Sequence, residues 1–67
     1  MCLATVYIED NGQKEEVMRD VAWIEHEGPK VLLVNMMGER KLFQARIKSV
    51  NLMKSVVLLG RGEEQKV

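Results

Sequence analysis

The stretch MCLATVYIEDNGQKEEVM, residues 1–18, decides the fold, because it contains two strand-like segments joined by a tight-turn signal. Apolar residues alternate along the first segment and share one face: Cys2, Ala4, Val6 and Ile8. Asn11-Gly12 comes next, and both residues tolerate the positive φ of a type I′ turn. Residues 13–18 are therefore predicted to return as a second, mostly polar antiparallel strand.

The rest of the chain predicts further short strands separated by turns. After a turn at residues 19–20, we expect strands over residues 21–27, 31–37, 39–44 and 56–59. Gly28-Pro29 separates the strand over residues 21–27 from the strand over residues 31–37. The near-continuous apolar run of residues 31–37 is typical of a strand buried on both faces. Residues 43–57 fit both helical and alternating spacing, but their β-branched content favours strands with a turn at residues 54–55.

This pattern predicts an all-β chain folded as a small, strongly curved antiparallel barrel. Its 67 residues are expected to form one domain over residues 1–60, with a flexible tail over residues 61–67. A core this small needs support from a disulfide, a metal or a partner. The single cysteine cannot form an internal disulfide, so a metal and a second subunit are the candidates.

Composition excludes several classes of function. No apolar run approaches the roughly 20 residues that span a bilayer, and a single thiol without a signal peptide indicates a cytoplasmic protein. The net charge is zero, although acidic residues dominate positions 1–33 and basic residues positions 34–61. The basic set defines an alternative function, a small Sm/SH3-like RNA-binding module using Arg40, Lys41, Arg46, Lys48 and Lys54. A sequence pI near 6.6 argues against a dedicated nucleic-acid binder.

Few residues carry catalytic potential. The sequence contains no glycine-rich phosphate loop and no nucleophile–base set, so we do not expect an enzyme. His26, between two glutamates, is interpreted as a solvated turn residue and has no assigned role. The five methionines are interpreted as core filler, and Trp23 as a core or interface anchor.

Cys2 is the candidate metal ligand. A lone cysteine is often a small buried hydrophobe, but at position 2 its thiolate lies beside backbone nitrogen donors. If Met1 is removed the free amine of Cys2 can join the thiolate, and if it is kept the Met1 amine and the following amide can do so. Such a mixed nitrogen and sulfur donor set suits Ni(II). Two copies meeting across a two-fold axis would supply two thiolates, so the sequence also predicts a homodimer.

At this point the sequence resembles the CooT-type nickel-binding proteins, accessory factors in the maturation of carbon monoxide dehydrogenase. The resemblance extends from residue 1 to about residue 59. It rests on the Met-Cys-x-Ala opening at residues 1–4, Asp20-Val21, Gly38-Glu39 and the pattern of residues 47–59. It implies an SH3-like barrel, a homodimer and one nickel ion bound through the two copies of Cys2.

We therefore expect a cytoplasmic, homodimeric nickel-binding protein that delivers or buffers Ni²⁺ for a nickel enzyme, with carbon monoxide dehydrogenase as the client that the resemblance suggests. The RNA-binding module is the alternative, and a structural adaptor without a ligand is a third hypothesis. Phosphate binding would weaken steeply with salt, whereas nickel binding would depend on pH through the thiol.

Overall fold

The structure is a computed structural model and describes residues 3–61. Six strands account for most of this range. In chain order they are β1 (Ala4–Asp10), β2 (Gln13–Glu27), β3 (Lys30–Asn35), β4 (Arg40–Phe43), β5 (Ala45–Asn51) and β6 (Val56–Arg61). No helix occurs in this range, and none there is long and apolar enough to cross a membrane.

The strands form one sheet in the order β4-β3-β2-β1-β6-β5, which curls into a half-barrel. This arrangement confirms the predicted small all-β class. Four of the five neighbouring pairs are antiparallel, as expected, whereas β1 and β6 run parallel. The first and last strands thus lie side by side within the sheet, between β2 and the edge strand β5.

Two tight turns follow their sequence signals. Asn11 and Gly12 have φ values of 55° and 79°, as a type I′ turn requires, and they join β1 to β2. Gly28 has a φ of 62° and precedes Pro29, whose ring fixes φ near about −65°. This combination is that of a type II′ turn, which joins β2 to β3.

The turn predicted at residues 19–20 is wrong, because β2 continues through both residues for 15 positions. Arg19 and Asp20 instead form a bulge opposite the single residue Thr5, and Asp20 has a φ of 58°. Aspartate tolerates this left-handed conformation, so the residue types that signal a turn also serve a bulge. Arg19 donates a hydrogen bond of 2.9 Å to Glu16, and this bond lowers the pKa of the exposed Glu16 carboxyl.

The apolar strand predicted over residues 31–37 is shorter than expected. β3 ends at Asn35, and only Val31, Leu32 and Leu33 within it are buried. Met36 and Met37 lie in the following turn and are exposed. The predicted turn at residues 54–55 falls within the observed turn at 52–55, which confirms strands over this region. β6 includes Arg61, and the rest of the expected tail lies outside the described residues.

The core lies on the concave face of the curled sheet. It contains alternating residues of the central and flanking strands, namely Val6, Ile8, Met18, Val21, Val31, Leu33, Ala45, Val57 and Leu59. Val6 and Ile8 belong to the apolar face predicted for the first strand, and Ala4 packs against the same cluster. The start of β1 is therefore fixed on its inner side by the core.

A bulge in β5 directs a lysine across the outer edge of the sheet. Lys48 is the extra residue of β5 between Ile47 and Ser49, and its side chain lies over Gly60. Its ammonium group reaches the Glu9 carboxylate at 3.0 Å. A Cβ at position 60 would stand 2.8 Å from the Lys48 Cδ, so glycine keeps this path open.

We expect Gly60→Ala to lower the free energy of unfolding by about 1 kcal/mol, because the new methyl group displaces the Lys48 side chain. In a Lys48→Ala background the same change should be nearly neutral. Urea denaturation of the two single variants and the double variant measures this coupling. An equal cost in both backgrounds would show that residue 60 is restricted by its backbone and not by Lys48.

Candidate functional site

The predicted metal ligand, Cys2, lies outside the described residues. The residue that follows it in the chain, Leu3, is described. Cys2 is bonded to Leu3, which is half-buried, and β1 begins at Ala4. Two residues of chain span at most about 7 Å. Any site that Cys2 helps to form is thus bounded to the end of the barrel where β1 starts.

A continuous row of paired residues crosses the sheet at this end. On one side of β1, Ala4 pairs with Val21 of β2, and Val21 pairs with Asn35 of β3. On the other side, Thr5 pairs with Val56 of β6, which pairs with Asn51 of β5. The start of β1 therefore lies between two asparagines, each at the end of its strand.

The turn after Asn35 is held by the asparagine side chain. Its Oδ1 accepts hydrogen bonds from the backbone N–H groups of Met37 at 3.0 Å and Glu39 at 2.9 Å. Its Nδ2 donates to the Glu39 carboxylate at 2.7 Å. Gly38 has a φ of 85°, and the Met36 N–H donates to the carbonyl of Asp20 in the β2 bulge at 2.9 Å. These bonds fix the turn against β2.

The turn after Asn51 has the same plan. The Asn51 Oδ1 accepts a hydrogen bond from the Lys54 N–H at 3.1 Å, and Ser55 has a φ of 56°. The carbonyl of Ser55 accepts from the Thr5 N–H at 2.9 Å. This turn is therefore bonded directly to β1, one residue after the strand begins.

Both turns present apolar side chains to solvent, at exposed fractions of 61% for Met36, 80% for Met37, 81% for Leu52 and 97% for Met53. The interpretation of the methionines as core filler is wrong for these three, although Met18 is buried as expected. A cavity of about 220 Å³ adjoins the turn after β5 and is lined by Ala4, Val50, Asn51, Leu52, Ser55, Val56 and Val57.

His26 lies far from this end. It is exposed and pairs with Val31 next to the Gly28-Pro29 turn, as the sequence predicted. Five residues of strand separate it from Val21, a distance of about 17 Å. An imidazole there does not approach the start of β1.

Trp23 is not a core residue, since 59% of its surface is exposed. Its indole Nε1 donates to the Glu25 carboxylate at 2.8 Å. A groove of about 370 Å³ on the outer face of the sheet is lined by Trp23, Glu25, Glu27, Leu32, Val34 and Arg40. Leu42 is also exposed on β4, and its pairing with Leu32 places it beside this groove.

The basic residues of the RNA-binding alternative lie on the two edge strands and in the turn after β5, and two of the five have polar partners. The Lys48 ammonium is paired with Glu9, and the Lys41 ammonium donates to the Val17 carbonyl at 3.2 Å. Arg61, at the end of β6, lies 3.4 Å from Asp10. Within residues 3–61, no group of three histidine, aspartate or glutamate side chains could hold a metal ion.

Comparison with known proteins identifies relatives along the whole chain. The sequence model of the family described as CO dehydrogenase accessory protein CooT matches residues 1–67. An uncharacterized protein of Methanocaldococcus jannaschii is 34% identical over 59 residues, which cover 88% of this chain and 96% of that protein.

The crystal structure of a candidate CooT from Carboxydothermus hydrogenoformans superposes with a TM-score of 0.85 at 29% identity. The match covers 92% of this chain and all of the other. The sheet described above is therefore shared with that structure. Together with the family match, this shows that the chain belongs to the CooT family of carbon monoxide dehydrogenase accessory proteins, which are not enzymes.

Proposed function

We propose that this protein is a nickel-binding homodimer that delivers or buffers Ni²⁺ during the maturation of a nickel enzyme, with the ion held by Cys2 of two chains. The observation that carries the proposal is the family match over residues 1–67, which includes Cys2. Carbon monoxide dehydrogenase is a nickel enzyme, and its accessory family indicates both the cargo and the client.

The donor chemistry of Cys2 supports nickel as the cargo. A thiolate is a soft ligand, and with backbone nitrogen beside it the donor set suits Ni(II) better than Mg(II) or Ca(II), which prefer oxygen. The sequence contains one cysteine, so one chain provides one sulfur. Two chains provide two sulfurs on a single ion and leave positions for nitrogen donors or for a ligand of the client.

The fold supports a site that can both hold and release an ion. Ala4 packs against the core, and Thr5 is hydrogen-bonded to the turn after β5, so the attachment point of Cys2 is fixed. Cys2 precedes the described strand β1, which begins at Ala4. A donor at the edge of a rigid element exchanges its ion with a partner more readily than a donor enclosed in a core.

We expect Cys2→Ser to lose tight nickel binding, because a serine hydroxyl is a hard and poorly ionised donor near neutral pH. Wild-type protein should saturate at one nickel per two chains in a calorimetric titration. His26→Ala is the matched control and should remain within a few-fold of wild type. Circular dichroism checks that both variants fold.

Near wild-type affinity in Cys2→Ser would contradict the assignment of the ligand. A loss of tenfold or more in His26→Ala, about 1.4 kcal/mol, would place imidazole in the site.

Nickel affinity should fall by about a hundredfold for each unit by which the pH is lowered below neutral. A free thiol has a pKa of about 8.5, so each ligating sulfur releases one proton when it binds the metal. With two ligating sulfurs per ion, and no proton lost by the nitrogen donors, nickel affinity varies with the inverse square of the proton concentration. Nitrogen donors that also release protons would make this slope steeper. Titrations at two pH values in two buffers of different ionisation enthalpy measure both the slope and the number of protons. A tenfold slope would indicate one thiolate per ion.

The protein without metal should sediment as a dimer at micromolar concentration, at twice the 7.7 kDa of one chain. The reason is that a chain of this size buries a small core and leaves large apolar side chains exposed. Analytical ultracentrifugation of the apo protein measures the mass. A mass of one chain at micromolar protein concentration would contradict the proposal that two chains share one ion.

A further inference from the structure

We propose that the groove beside Trp23 is a docking site for an extended segment of a partner protein. The segment carries a lysine or arginine two residues away from an aliphatic side chain. All residues that line the groove belong to β2, β3 and β4. The inference therefore goes beyond the proposed function and does not depend on the metal site.

The floor of the groove is apolar and is separate from the core. Alternate residues of β3 belong to the core cluster, whereas Leu32 and Val34 face the other side of the sheet. Leu32 is only 7% exposed, although it is not part of that cluster. It pairs with Leu42 of β4, and Val34 pairs with Trp23 of β2. Because Leu42 and Trp23 are both exposed, this apolar strip reaches solvent on both sides of β3.

The charges of the groove differ between its two sides. Glu25 and Glu27 line it from β2, and Arg40 lines it from β4. Lys30 is opposite Glu27 in the ladder, at the end beside the turn that joins β2 to β3. Among the residues that the structure describes, none of these four side chains forms an ion pair. The β2 side of the groove, next to Trp23, therefore favours a positively charged side chain.

The indole of Trp23 adds to the attraction for a cation. Its Nε1 donates a hydrogen bond of 2.8 Å to the Glu25 carboxylate, and this bond holds the ring beside the acidic side of the groove. A cation over an aromatic face is attracted by the ring, and tryptophan is the best of the aromatic side chains in this respect. The stem of a lysine or arginine can thus pack on the indole while its charged end reaches Glu25.

The width of the groove determines the spacing of the two side chains in the segment. Neighbouring strands are about 4.8 Å apart, so the middle of the floor between β3 and β4 lies about 7 Å from β2. Alternate residues of an extended chain point to the same side and are also about 7 Å apart. A basic side chain over Trp23 therefore places an aliphatic side chain two residues away over Leu32.

A second copy of this chain is a poor occupant of the groove. Two copies meeting there would bring together four carboxylates, from Glu25 and Glu27, against the two guanidinium groups of Arg40. Residues 62–67 of the chain carry two glutamates and one lysine, so their net charge is negative as well. The same carboxylates repel nucleic acid. A basic and aliphatic protein segment is the occupant with complementary charge.

The first test uses the indole of Trp23 as its reporter, because this is the one tryptophan of the sequence. The probe is the capped peptide Ser-Lys-Ser-Leu-Ser-Gly, and the matched control peptide has glutamate in place of lysine. In an NMR titration of the isotope-labelled full chain at low salt, the Nε1–H resonance should shift with the lysine peptide. We expect a dissociation constant of about 1 mM or tighter, and binding of the glutamate peptide at least about fivefold weaker.

The second test separates the charge of the groove from its shape. Glu25→Gln keeps an oxygen acceptor for the indole N–H and removes the charge, whereas Trp23→Leu keeps an apolar side chain and removes the aromatic face. Each variant should bind the lysine peptide at least about threefold more weakly, as measured from the backbone amide resonances of β3. Met53→Leu, at a position 97% exposed in the turn after β5, is the control and should remain within about twofold of wild type.

Charge reversal distinguishes recognition from a loss of folding. Glu25→Lys should bind the glutamate peptide more tightly than the lysine peptide, and an unfolded variant cannot produce this reversal. Cys2→Ser should bind the lysine peptide as wild type does. Failure of the nickel proposal and failure of the docking proposal are therefore measured in different titrations.

Three results would overturn the docking site. The first is an unchanged Trp23 resonance up to about 5 mM lysine peptide. The second is equal affinity for the lysine and glutamate peptides, which would indicate an unselective apolar surface. The third is a shift of the groove resonances with protein concentration alone, which would place a second copy of this chain in the groove.

Discussion

The parallel pairing of β1 with β6 is the constraint on which the rest of the structure depends. Parallel neighbours run in the same direction, so the start of β1 lies beside the start of β6 and beside the turn that leads into it. An antiparallel partner would have placed the end of β6 there. The position of the turn after β5 beside the start of β1 thus follows from strand direction.

On the other side of β1, bulges in β2 determine where the turn after β3 lies. Extra residues at Asp20 and Ala22 flank Val21, so that one strand pairs with β1 in its first half and with β3 in its second. The bulge also frees the Asp20 carbonyl to accept from Met36. The turn after β3 is thus bonded to β2 at the residue pair level with the start of β1.

Much of this fold could be predicted from local sequence signals. The pairings between strands that are distant in sequence could not be predicted in this way. Asn11-Gly12 and Gly28-Pro29 specify their turns through φ alone, whereas Asp20 uses the same conformation inside a strand. Met36 and Met37 are exposed because β3 ends at Asn35. The Asn-x-x-Gly spacing at residues 35–38 indicated a turn there, but the apolar run of residues 31–37 led to the prediction of a longer strand. The proposal of Cys2 as a metal ligand rests on its residue type and its place in the sequence, and it does not depend on the predicted fold.

In the proposed dimer, an ion shared between two chains links metal binding to dimerisation. Because linkage is reciprocal, nickel held by both chains would strengthen the dimer by the same factor by which the dimer strengthens nickel binding. A client that takes the ion from one thiolate would then weaken the association of the two chains, and this coupling would favour complete transfer over partial exchange.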